Sequence, residues 1–214
     1  MWNKARHLVN VNADDAFTLV EIMIAMAMAG FVIAAVYTIF VSTNRSYHTQ
    51  DRVADAQQRV RVGIDFMVRD IRLAGLDPLA PATDPVDGNG AGIKQATATK
   101  LRFTTDLGVN GVIDDGDGAS PVNQERITYE FSANTLRRCL YEGTGSENWQ
   151  ILIKNVTANP SGQPLFTYLN EAGNPTATLA DIRTVVIEMT VEGEDVRGEA
   201  FTRTLSARVS GRNL

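Results

Sequence analysis

Thiols, imidazoles and excess positive charge are all scarce in this chain, and each shortage excludes something. Of its 214 residues one is cysteine, Cys139, so no internal disulfide can form. A lone cysteine in an alternating segment reads as a small buried hydrophobe on a strand rather than a nucleophile. The two histidines, His7 and His48, stand in unrelated contexts. Neither a Ser-His or Cys-His pair nor a metal-ligand histidine spacing can be built from them. No glycine loop suited to phosphate and no nucleophile elbow is present. The net charge of −5 and pI of about 5.1 lack the basic footprint of a nucleic-acid binder. Together these absences favour a structural subunit over an enzyme.

Charge is also missing from one long stretch. From Phe17 to Val41 the single charged residue is Glu21. At 1.5 Å per residue, these 25 residues give roughly 37 Å of helix, enough to cross a bilayer about 30 Å thick. A core helix is disfavoured, because the run is apolar on every side. A secretory signal peptide is disfavoured too. The small residue Ala16 precedes the apolar run, and no small-residue exit closes it. Lys4 and Arg6 lie in a polar leader ahead of it, which places the leader on the cytoplasmic side.

Proline is absent from Ser42 to Arg72, and Gly63 is the one glycine there. Val53, Ala56, Val60, Ile64, Met67, Ile71 and Ala74 recur in steps of three and four, which mark one side of a helix. Six arginines and four aspartates between them (Asp51, Asp55, Asp65 and Asp70) read as its solvated side. Gly75 and Pro78 end it. The spacing therefore predicts one helix over residues 17–74, roughly 85 Å long, greasy all round in its first half and amphipathic in its second.

The segment AFTLVEIMIAM resembles the class III signal of type IV pilins and type II secretion pseudopilins. The resemblance implies cleavage by a prepilin peptidase between Ala16 and Phe17, and N-methylation of Phe17. It also implies that Glu21, fifth in the mature chain, pairs with the N-terminal amine of a neighbouring subunit. The family usually has glycine where Ala16 stands. The pairing would answer why a carboxylate sits in an apolar run, where an unpaired charge costs several kcal/mol. The competing reading is that Glu21 snorkels to the headgroups.

Beyond Gly75 the chain reads as strands between Gly, Pro, Asn and Asp clusters. They fall at 100–106, 125–131, 135–142, 150–156, 164–170, 182–192 and 200–209, with a short hairpin turn at Ser132–Asn134. Alternation such as Ile127, Tyr129, Phe131 is that of half-buried antiparallel strands. The expected fold is α+β: a long N-terminal helix whose distal half packs on an antiparallel sheet. The segments are a leader over 1–16, a membrane and assembly helix over 17–41, an amphipathic extension over 42–75 and a β-rich domain over 76–214.

Within that domain, Asp106 to Asp117 has EF-hand-like spacing. Its ligands for a calcium ion would be Asp106, Asn110, the carbonyl of Val112, Asp114 and Asp117. Gly111 would take the sharp turn, and Gly108 stands where a ligand is wanted. An acidic surface turn accounts for the same residues. No other cofactor is required by the sequence.

The arginine-rich helix ending VRDIRLAGLDP, the runs ERITYEF and LADIRTVVIEMTV, and the ending ARVSGRNL together resemble minor pilins of the PilW type, akin to GspJ-kind pseudopilins. The implied life history starts in the bacterial inner membrane, single-pass with a periplasmic domain, and ends in a pilus or pseudopilus filament. The implied partners are prepilin peptidase, other pilins or pseudopilins along the helix, and the inner membrane. The leading function is a minor pilin that primes or caps a type IV pilus. A tip pseudopilin of a type II secretion filament is the alternative. A membrane-anchored binding protein that does not polymerise is the alternative of another class.

Overall fold

The computed structural model describes residues 17–88, 90–114, 124–157, 165–194 and 199–214. The leader, including Ala16, lies outside them, as does Asp117. The chain divides into two compact units, residues 1–47 and 48–214, and each is taken by itself. Helix α1 spans Leu19–Leu73.

In the first unit the described residues are helical from Leu19 onward and almost wholly exposed. Its most apolar 18-residue window has a mean hydropathy of 2.4, and none of it is buried. Such a surface is stable in lipid or against other apolar helices and not in water. Two of its hydroxyls bond back to the helix, Thr38 donating to the Ala34 carbonyl at 2.8 Å and Ser46 to that of Ser42 at 3.1 Å.

In the second unit α1 turns one stripe inward: Ala56, Val60, Gly63, Ile64, Met67, Asp70 and Ile71. The apolar members are those the spacing predicts, while Val53 is half-buried. Asp70 corrects the sequence reading. It lies on the inward stripe at 8% exposure, not on the solvated side. The helix ends as expected at Gly75, whose φ of +78° suits a residue without Cβ. The Gly75 amide donates to the Thr104 carbonyl at 3.1 Å, and the Asn213 carbonyl crowds the space a Cβ would need.

Two antiparallel sheets form where the sequence reading expects one. The first runs in order β1 (Gly92–Ala96), β2 (Lys100–Thr104), β3 (Arg126–Ser132), β4 (Thr135–Leu140), β5 (Asn148–Lys154). The second has β8 (Thr184–Glu194) at its centre. Strand β9 (Ala200–Ser210) pairs with β8 along eleven residues, and β6 (Val156–Thr157) and β7 (Phe166–Leu169) also pair with it. The chain passes from β5 to β6 through Asn155 at φ +57°, which splits the single strand expected over 150–156. β1 has no counterpart in the sequence reading, because GIKQA is too short and too polar to signal a strand. The β3–β4 hairpin closes as expected, with Ser132 opposite Thr135 and both central residues, Ala133 and Asn134, at positive φ.

One apolar core joins α1 to both sheets. It includes Val60, Met67 and Ile71 of α1, Leu101, Phe103 and Tyr129 of the first sheet, and Val185, Ile187 and Met189 of the second. The core begins at Ala56, so residues 48–214 carry a complete core of their own.

Candidate functional site

The first site is the start of α1. Thr18 precedes the first helical residue, and Glu21 stands three residues on. The Thr18 amide and hydroxyl both donate to Glu21 Oε2 at 2.9 Å, and the Glu21 amide donates to the Thr18 hydroxyl at 3.2 Å. This reciprocal arrangement is a capping box, which satisfies amides that a helix start leaves without intrahelical partners. The sequence reading missed it, although Thr-x-x-Glu before an apolar run is its signature. The box gives Glu21 a local task in addition to any pairing with a neighbour. It also fixes where the carboxylate sits, at the first turn, where the helix dipole favours an anion. Phe17 is 81% exposed beside it.

The second site is the acidic loop. Asp106 is buried, and its two oxygens accept from the amides of Asn110 at 3.1 Å and Gly111 at 3.0 Å. The Asn110 side-chain oxygen accepts from the Val112 amide at 2.9 Å. Asp114 is buried, and its amide donates to Glu125 at 2.8 Å. Glu125, outside the predicted set, also accepts from the Gly108 amide. The Asp106 carboxylate and the Asn110 side-chain oxygen are thus turned to the loop's own backbone, with Gly111 at φ +74° making the sharp turn. A calcium ion would have to compete for the Asp106 and Asn110 oxygens with three amides. Among the described residues no group of three or more His, Cys, Asp or Glu is placed to hold a metal.

Two buried charge clusters went unseen in the sequence. In the first, Asp70 of α1 accepts through Oδ2 from the Tyr129 hydroxyl at 2.6 Å and from Arg138 Nε at 3.0 Å. Arg138 also donates to Gln124 at 3.1 Å and lies over the Phe66 ring, 5.2 Å from its centroid. In the second, Arg126 of β3 is fully buried between Asp84 and Asp87. Asp84 is 3.5 Å from Lys94, Asp87 accepts from Arg102 at 2.8 Å, and Glu142 pairs with Lys100 and Arg102. Cys139 is fully buried on β4. Burial, followed by the Glu142 charge, pushes its thiol up to about 11, so it stays protonated and unreactive near neutral pH.

The buried tyrosines give the domain an alkaline limit. Burial raises Tyr129 well above its ordinary value, with help from the Asp70 carboxylate, and burial also raises Tyr168. The folded state holds both phenols neutral, whereas the unfolded chain ionises them near 10. Stability is therefore fully present below pH ~10 and falls above it, by up to about 1.4 kcal/mol per pH unit for each tyrosine. Urea titrations of residues 48–214 from neutral to alkaline pH should show the midpoint dropping only above that point. The loss should be smaller in Tyr168→Phe.

Comparison with known proteins bears on the N-terminal site. Residues 12–37 match the prokaryotic N-terminal methylation motif. The pilin-like protein PilA3 of Thermus thermophilus is 28% identical over 158 residues, 70% of this chain. The match spans 61% of that relative's length. No solved structure matches the chain. The chain thus carries a type IV pilin-like N-terminus: a methylation motif on the first turns of a helix apolar enough to cross a membrane.

Proposed function

We propose that this type IV pilin-like chain is a minor pilin of the PilW type, which helps prime or cap a type IV pilus. In this reading prepilin peptidase cuts between Ala16 and Phe17, the Phe17 amine is methylated, and the helix moves from the inner membrane into a bundle of pilin helices. The observation that carries the reading is the joining of the motif to a helix exposed and apolar on every side. Leaving lipid for similar helices exchanges one apolar contact for another, so the transfer costs little hydrophobic free energy. What remains to select a position is polar. Glu21, held at the first turn by Thr18, is the one charge available to engage a neighbour's N-terminal amine. A buried pair of that kind fixes register more than it adds stability. The domain over 48–214 would face the periplasm and later the filament exterior.

Glu21 substitutions separate its two tasks. Glutamine still completes a capping box but carries no charge; alanine removes both functions. If the charge sets register, Glu21→Gln and Glu21→Ala should both be cleaved normally yet be recovered poorly in sheared filament fractions. Normal recovery of Glu21→Gln would leave only the cap and end the pairing role. Deletion in the native host, scored for surface pili and for secreted proteins, decides which filament is served. Loss of pili alone supports the minor pilin, and loss of secretion alone indicates a type II secretion pseudopilin. A chain that is never cleaved points to a membrane-anchored binding protein.

A further inference from the structure

Strand β5 is an edge of the first sheet, pairing only with β4 among the described residues. The opposite edge, β1, is blunted in three ways: it is short, it carries Lys94, and its register shifts between Ile93 and Gln95. The longest edge of the second sheet, β9, carries Arg203 and Arg208 among threonines and serines. β5 has little such protection. It has no charge before Lys154 and one irregularity, opposite Leu136 and Arg137. Trp149 and Ile151, opposite Cys139 and Arg137, are 38% and 58% exposed. An exposed apolar edge is a template for another strand, and soluble proteins normally disarm it.

The other side of this edge is apolar as well. Gly63 of α1 packs against Ile153 and Leu152 of β5, and Phe66 lies under Arg138 of β4. Val62 and Phe66, one helical turn apart on this side of α1, are 54% and 37% exposed. A strand added to β5 would thus find apolar side chains on both of its faces.

We propose that β5 pairs antiparallel with β5 of a second copy about a two-fold axis normal to the sheet. With Gln150 opposite its own counterpart, Trp149 of each copy faces Ile151 of the other. That makes two aromatic–β-branched cross-strand pairs, a favourable class. No charges oppose each other between Asn148 and Ile153. The axis keeps both helices on one side of the joined sheet, so Val62 and Phe66 of the two copies approach each other. The Trp149 ring is already held, with the Arg137 guanidinium 4.7 Å from its centroid and Arg137 itself paired with Glu130 at 2.8 Å. Little side-chain entropy is lost on pairing when the anchor is preset. The proposal stands apart from the filament role, since it uses only residues 48–214.

Trp149 is the one tryptophan of residues 48–214, and so reports on this edge alone. Sedimentation equilibrium of that domain, from micromolar to millimolar, should show a monomer–dimer equilibrium, with tryptophan emission moving to the blue in step with the dimer fraction. Ile151→Lys places a charge at an exposed position. It should keep the urea midpoint while weakening dimerisation by on the order of tenfold or more. Arg203→Ala, on the β9 edge, should leave the dimer unchanged. A domain that stays monomeric throughout, or a dimer that forms without moving the emission, overturns the proposal. So does a dimer indifferent to Ile151→Lys.

Discussion

Replacing Arg126 by alanine should cost the domain about 3–5 kcal/mol, enough to remove much of a typical stability of about 5–15 kcal/mol. The guanidinium is fully buried and pairs with Asp84 and Asp87, and Asp84 is itself without exposed side-chain surface. Alanine would leave that carboxylate with Lys94 at 3.5 Å as its remaining cation. Asp84 also caps the amides of Val86 at 3.0 Å and Asp87 at 3.1 Å, so the turn it organises would loosen with it. The cost is that of an abandoned charge, not the net worth of the pair. Arg126→Met combined with Asp84→Asn should accordingly recover a large part of the loss, because both charges then leave together. Urea unfolding of residues 48–214 measures both. A single substitution costing less than ~1 kcal/mol would show that water or Lys94 already compensates Asp84.

This cluster also shows where sequence reasoning stops. The alternation in ERITYEF correctly gives a strand, with Ile127 and Tyr129 turned to the core. The same alternation assigns Arg126 and Thr128 to solvent, yet both are fully buried. Arg126 meets Asp84 and Asp87, from a segment with no periodicity, and the Thr128 hydroxyl donates to Glu142 at 2.8 Å. The Arg126–Asp84 pair is 42 residues apart, beyond any local pattern. The capping box, by contrast, was legible in four consecutive residues. The acidic loop lies between these cases. Spacing marked Asp106, Asn110 and Gly111 as a turn, but only the fold shows the Asp106 and Asn110 oxygens facing amides and brings in Glu125. Long elements with a clear period were readable, and partners chosen across the fold were not.

Asp70→Ala should be nearly as costly, at about 3–5 kcal/mol, for a reason that bears on function. Asp70 is the buried acid through which α1 holds the first sheet. Its Oδ2 accepts from Tyr129 at 2.6 Å and lies 3.0 Å from both Nε and Nη2 of Arg138. Alanine would leave Arg138, 4% exposed, with Gln124 and the Phe66 ring for company, and would leave the Tyr129 hydroxyl without its acceptor. Asp70→Asn keeps the shape and an acceptor oxygen but loses the charge, so it should fall between wild type and alanine. Arg138→Met in the alanine background should return part of the loss, since the stranded cation is removed. An additive double mutant, with no coupling between positions 70 and 138, would refute the pairing as the source of the cost. In the filament role proposed above, the apolar helix is drawn among other helices while the domain stays folded, so α1 would have to remain docked beyond Ala56. The apolar stripe supplies most of the attraction, but apolar contacts tolerate sliding by a turn. A charge with three directed donors tolerates far less. Asp70→Asn should therefore also reduce protection of the α1 amides around Met67 and Ile71 in hydrogen exchange, before the global midpoint moves appreciably.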